Sequence, residues 1–113
     1  MDKILEVIKK ITINANLISQ VKRSGEELYF VYNGAYNFSI MKRNESYPYY
    51  FHLYPNRDMS IEDVMNIDWS DFKEFLTYNS NETGGEELYE ILYETLMSKL
   101  YNADTILNEI LGL

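Results

Sequence analysis

No cysteine occurs among the 113 residues, which excludes disulfides, thiol nucleophiles and thiolate-bound zinc together. Histidine occurs once, as His52, so a multi-histidine metal centre cannot be assembled. Glycine is sparse, and Gly84-Gly85 is an isolated pair with no phosphate-loop context. No serine or threonine sits in a nucleophile-elbow context. The carboxylate pairs Asp68 with Asp71 and Glu62 with Asp63 lack the spacing of a calcium loop. These absences lead us to expect no catalytic residue, no metal and no cofactor, hence a binding protein and not an enzyme. No apolar run approaches the roughly 18 residues of a membrane span. The first twenty residues interleave apolar side chains with Lys, Glu and Asn, unlike a secretory signal, so a cytoplasmic location is expected.

Apolar residues are 46% of the chain, a globular composition, and the length suits a single domain over residues 1–113. Net charge is −8, and it is segregated. Residues 1–57 carry eight Lys and Arg against five Asp and Glu, a net of +3; residues 58–113 carry two against thirteen, a net of −11. Solubility needs net charge but not segregation, so the acidic half points to a cationic partner.

Ile4, Ile8, Ile11, Ala15 and Ile18 recur with helical spacing. They predict a first helix that Asp2 caps and Ser24-Gly25 ends. Residues 26–54 then hold seven tyrosines and three phenylalanines, which favour strands. Asn33-Gly34 is a hairpin signal. A three-residue loop over Tyr32-Asn33-Gly34 pairs Val31 with Ala35 and gathers Leu28, Phe30, Tyr36, Phe38 and Ile40 on one face, with Gly34 left-handed. A third strand follows from Tyr47 to Tyr54, between Pro48 and Pro55. Tyr49, Phe51 and Leu53 form one face of it, and Tyr50, His52 and Tyr54 form a second, partly wet face. His52 reads there as a packed, hydrogen-bonded residue.

The remainder reads as helical. Ser60 with Asp63 makes a capping box before Ile61, Val64 and Met65. Asp68 or Ser70 opens a short helix carrying Trp69, Phe72, Phe75 and Leu76. After a linker from Asn79 to Gly85, Thr83 with Glu86 caps a helix built on Leu88, Leu92, Leu96 and Leu100. Asn102 and Asp104 break it before Ile106, Leu107, Ile110 and Leu111. The expected class is α+β: an N-terminal helix, a three-stranded antiparallel meander and C-terminal helices, in the order α-βββ-ααα.

Two surfaces carry the functional expectation. Glu86, Glu90 and Glu94 lie at i, i+4 and i+8, stacked about 6 Å apart along one helix ridge. That spacing is close to the spacing of phosphates on a nucleic-acid strand, so a groove built for phosphates would accept the ridge. Tyr29, Tyr50 and Tyr54 on a wet sheet face, with Lys42, Arg43 and Arg57 nearby, would instead stack unpaired bases.

The Asn33-Gly34 hairpin, the Trp69-Ser70-Asp71-Phe72 helix and the acidic run from Glu82 to Glu94 together resemble the small acidic phage-encoded anti-CRISPR proteins. The resemblance implies a protein of the host-cell cytoplasm that blocks the nucleic-acid groove of a CRISPR effector nuclease or similar defence protein. Partner-binding residues would be Glu82, Glu86, Glu87, Glu90 and Glu94, with Asp68, Asp71 and Glu74 as a second patch and Tyr89 and Tyr93 as anchors. The basic N-terminal half departs from a pure nucleic-acid mimic. Alternative readings are an immunity protein or antitoxin neutralising a basic toxin, and a nucleic-acid-binding module using the Tyr-rich sheet. The first reading expects no membrane and no direct nucleic-acid contact. Pairing of the +3 and −11 halves would give a homo-oligomer.

Overall fold

A computed structural model describes residues 2–42, 48–68, 70 and 74–112, with backbone alone for 103–105. Helix α1 (Lys3–Ile13) starts where Asp2 accepts the Ile4 N–H and buries Ile4, Leu5, Ile8 and Ile11. It ends at Asn14, short of the expected boundary. A 3-10 turn (Ala15–Leu17) leads instead into strand β1 (Ile18–Ser24). Ile18 continues the helical spacing by coincidence and is buried in the same cluster as the α1 isoleucines.

Strands β2 (Glu27–Tyr32), β3 (Tyr36–Lys42), β4 (Tyr49–Tyr54) and β5 (Leu76–Asn79) complete a five-stranded antiparallel sheet in sequence order. The class is α+β, and the three-stranded meander gains an edge strand on each side. The β2–β3 loop is Asn33-Gly34-Ala35, and Tyr32 pairs with Tyr36. Val31 therefore meets Asn37, two residues beyond the expected Ala35, and an even displacement leaves the same side chains on the same face. Asn33 and Gly34 are both left-handed, with φ of 55° and 66°.

Both edges are protected. A bulge falls between Ser19 and Lys22 on β1, with Gln20 at φ 53°, and Lys22 and Arg23 follow it; bulge and charge hinder pairing with another chain. Strand β5 has only four residues. Leu76, expected in a helix, lies in this strand. Trp69, Asp71 and Phe72 of that expected helix lie outside the described residues.

Each face of the sheet has its own core. On one, Leu28, Phe30, Phe38, Ile40, Tyr49 and Phe51 pack against α1 and against Tyr89, Leu92 and Leu96 of α4 (Glu86–Leu100). On the other, Tyr29, Val31 and Tyr54 pack against Ile61 and Val64 of α2 (Ile61–Met65), with Phe75 alongside. The second face is covered and not wet. The Ser60–Asp63 capping box forms as expected.

A short helix α3 (Ser80–Thr83), capped by Asn79, occupies the expected linker. The expected Thr83–Glu86 box is absent, and left-handed Gly85 precedes α4 with no side-chain cap. A Cβ on Gly85 would lie 2.7 Å from a Leu5 methyl carbon, so glycine lets α1 close on the start of α4. Helix α4 crosses the strands at one end of the sheet: Tyr89 stacks on Tyr49 of β4, the Tyr93 hydroxyl donates to the Glu26 carbonyl, and Arg23 of β1 donates to the Tyr101 hydroxyl. Helix α5 (Ala103–Leu111) follows beyond Asn102.

Candidate functional site

Three arrangements carry polar or charged chemistry: the acidic flank of α3 and α4, the chain between α2 and β5, and a buried cluster under α2.

On α4 the buried ridge is Tyr89, Leu92 and Leu96. At 100° per residue, Glu86, Glu90, Glu94 and Glu87 fall within about 100° of arc on one side of that ridge. Glu87, Glu90 and Glu94 are exposed and Glu86 is half-buried; Glu82 is exposed on α3 just before them. Among the described residues none of these five carboxylates forms an ion pair with a Lys or Arg of the same chain. Two cations beside α4 are otherwise engaged, Lys42 lying 5.4 Å from the centre of the Tyr49 ring and Arg23 bonded to the Gly25 carbonyl and to Tyr101.

The two expected anchors are not on this flank as free side chains. Tyr89 is 0% exposed, and its hydroxyl lies 2.6 Å from Thr83 Oγ1. It is a core residue, because it sits on the same helix ridge as Leu92 and Leu96. Tyr93 is half-buried, edge-on to Tyr49 at 5.9 Å, with its hydroxyl donating to Glu26 O at 3.1 Å. Burial pushes the Tyr93 hydroxyl above its ordinary pKa, and the charge of Glu26 adds to it.

The second expected patch stands apart from the first. Asp68 is exposed, and its Oδ1 accepts the Ser70 N–H at 2.9 Å and the Ser70 hydroxyl at 2.8 Å, which hold its pKa below the usual carboxylate value. Glu74 is half-buried beside Phe75, which packs on the α2 side of the sheet. Strand β5 separates Glu74 from Glu82 by roughly 13 Å of chain. Asp71 lies outside the described residues. Glu62, from the same half, pairs with Lys22 at 3.5 Å. Among the described residues the α3–α4 flank is the larger group of expected carboxylates.

The tyrosines expected on a wet face are the ones that build the third arrangement. Tyr29 and Tyr54 are buried; Tyr50 alone of the three is half-exposed. Of the cations assigned to that face, Lys42 covers Tyr49, Arg57 covers Tyr36 at 5.5 Å, and Arg43 lies outside the described residues. Glu27, missed as a site residue, is buried on this face at the start of β2. Its Oε1 accepts the Tyr29 hydroxyl at 2.9 Å, and its Oε2 accepts the Ser39 hydroxyl at 2.7 Å. His52 Nδ1 lies 2.8 Å from the same Oε2. A carboxylate only accepts, so His52 carries its proton on Nδ1 and donates. Ser39 has spent its proton on Glu27 and accepts from the Tyr54 hydroxyl at 2.8 Å. Among the described residues no buried side-chain nitrogen or oxygen lacks a partner.

Serine, histidine and glutamate in contact suggest a hydrolytic triad by residue type alone. In such a relay the nucleophile and the acid meet opposite ring nitrogens. Here Ser39 and Glu27 both meet Nδ1, at 3.1 and 2.8 Å, and Ser39 is fully buried. The geometry is that of a structural network. A sequence signal for it did exist: Glu27 shares strand parity with Tyr29 and Val31, and Ser39 lies on the same face, directly across the ladder from Tyr29.

Burial, the charge of Glu27 and the bond to it push the Tyr29 hydroxyl well above the ordinary 10.0, and burial does the same to Tyr54. The folded chain thus keeps protons that the unfolded chain releases above pH 10. The stability from these neutral hydroxyls is complete below pH 10 and falls as pH rises beyond it. Melting followed by circular dichroism should show a Tm that declines above that pH, with a shallower decline in Tyr54→Phe. An equal slope in the variant would remove Tyr54 from the explanation.

Among the described residues no group of three or more His, Cys, Asp or Glu is placed to hold a metal, and no helix is long and apolar enough to cross a membrane. Comparison with family models, with curated proteins and with solved structures gives no match.

Proposed function

We propose that the protein is a small acidic inhibitor that works by binding, laying the α3–α4 flank into the nucleic-acid groove of a basic partner such as a CRISPR effector nuclease. The observation that carries this reading is the set of five carboxylates, Glu82, Glu86, Glu87, Glu90 and Glu94, gathered on one side and left without internal ion pairs. Like charges at i, i+4 cost a helix a few tenths of a kcal/mol each. A groove lined by Lys and Arg offsets that cost on contact, and the field speeds encounter more than it slows release. Asp68 and Glu74 follow or adjoin residues packed on the α2 side of the sheet and not the α4 side, so they are left out of this contact. Tyr89 is left out as a core residue. An immunity protein or antitoxin facing a basic toxin would use the same flank and differ only in target.

The test is DNA cleavage by a purified effector nuclease with the protein added. Wild type should block cleavage, and Glu86→Lys with Glu90→Lys should raise the concentration needed by at least about tenfold, since each reversed charge adds repulsion of a kcal/mol or more. Both positions lie beside the core ridge, so the far-UV circular dichroism should not change. Undiminished inhibition by the double variant would rule this flank out as the contact.

A further inference from the structure

Helix α5 turns an apolar stripe to solvent. Ile106, Leu107, Ile110 and Leu111 are 46, 55, 76 and 70% exposed, and their spacing puts them on one side of the helix. A helix of nine residues is well short of the roughly 12–15 needed for stability in water by itself, so that stripe calls for a partner surface.

A surface of matching character lies at the far end of the same chain. Val7, Lys10, Ile11, Tyr32, Tyr36 and Phe38 line an open apolar pocket of about 250 Å³ between α1 and the β2–β3 hairpin. That is below the roughly 300–1,000 Å³ of small-molecule sites and suited to aliphatic side chains. Past Lys10 the surface continues along Lys9 to Ile13, which is 69% exposed.

The chain does not fill its own pocket with this stripe. Tyr101 is tied to Arg23, at the end of the sheet where Arg23 pairs with Leu28. The pocket is at the opposite end, where Tyr32 pairs with Tyr36. Four to five strand residues, roughly 15 Å, separate the two. Only Tyr101 and Asn102 join α4 to α5, and the high exposure of Ile106, Leu107, Ile110 and Leu111 shows that none of them is seated in the pocket.

We propose that the occupant is a second copy of this chain, the two molecules exchanging α5 helices so that each seats Ile106, Leu107, Ile110 and Leu111 against the other's α1–hairpin surface. Charge selects this occupant. Asp104 and Glu109 are the only charged residues of α5, in the −11 half, whereas on the receiving surface, in the +3 half, Lys9, Lys10 and the Arg57 that covers Tyr36 outnumber the one carboxylate, Glu6. A reciprocal exchange closes on a two-fold axis and leaves no unpaired end.

Sedimentation velocity of the full chain, from low micromolar to near-millimolar protein at physiological salt, tests this. Wild type should shift from monomer to dimer mass with concentration. Ile110→Asp, and separately Leu107→Asp, should raise the dissociation constant about 10–100-fold, the loss expected from one buried aliphatic side chain, with unchanged far-UV circular dichroism. Lys10→Glu should also weaken the dimer, and Glu109→Lys in the same chain should restore it. A wild type that stays monomeric throughout, so that α5 serves some other occupant, overturns the proposal. A dimer indifferent to both Ile110→Asp and Leu107→Asp overturns it equally.

Discussion

Replacing Glu27 by alanine is expected to cost about 3–5 kcal/mol, because it removes the acceptor that three buried donors share. Tyr29, Ser39 and His52 all direct hydrogen-bond donors at this carboxylate within 2.7–2.9 Å. Without it, three buried donors lose their acceptor, and each stranded group costs about 1–3 kcal/mol unless the site relaxes or admits water. Domains of this size are stable by only about 5–15 kcal/mol, so the midpoint of urea unfolding should fall steeply. A second variant separates the network from its shape. Glu27→Leu combined with Tyr29→Phe, Ser39→Ala, His52→Leu and Tyr54→Phe removes the acceptor together with the donors of the network and should recover much of the loss. A Glu27→Ala chain within about 1 kcal/mol of wild type would mean that the carboxylate does not hold this face together.

The same residues show what was legible in the sequence and what was not. The hairpin faces were readable because strand period is two, and Leu28, Phe30, Phe38 and Ile40 alternate with it. The start of α1 was readable from Asp2, and α2 from its capping box. His52 was legible as a packed, hydrogen-bonded residue, but the face as a whole was misread as partly wet because Glu27 and Ser39 look solvated one at a time, and only their contacts with His52 make them a core. Strand β1 was taken into the helix because Ile18 kept the helical spacing, and an edge strand with Lys22 and Arg23 outward shows no alternation to contradict it. Strand β5 was hidden for a different reason. Four residues, Leu76 to Asn79, are too few for any period, and their pairing with β4 is a tertiary fact.

Charge behaved in the opposite way. The excess in the C-terminal half was plain from counting, and helical spacing alone set Glu86, Glu90 and Glu94 on one flank. Counting could not separate that flank from Asp68 and Glu74, because the sheet and β5 that lie between them are a product of folding.

Tyr89 is where stability and binding part most sharply, and its replacement by alanine should destabilise the chain by about 3–5 kcal/mol, as for other buried aromatic side chains cut to a methyl. The ring is fully buried, stacks on Tyr49 with centroids 6.4 Å apart, and packs on the face that α4 closes over the sheet. Tyr89→Phe keeps the ring and loses only the contact with Thr83 at 2.6 Å, a cost near 1 kcal/mol. The two variants should therefore differ by several-fold in the loss of stability on urea unfolding, while inhibition per folded molecule stays at the wild-type level in Tyr89→Phe. Charge reversal at Glu86 and Glu90 should give the converse pattern, binding lost and fold kept. A Tyr89→Phe chain that folds as well as wild type yet fails to inhibit would return Tyr89 to the partner surface and require α4 to leave the sheet on binding.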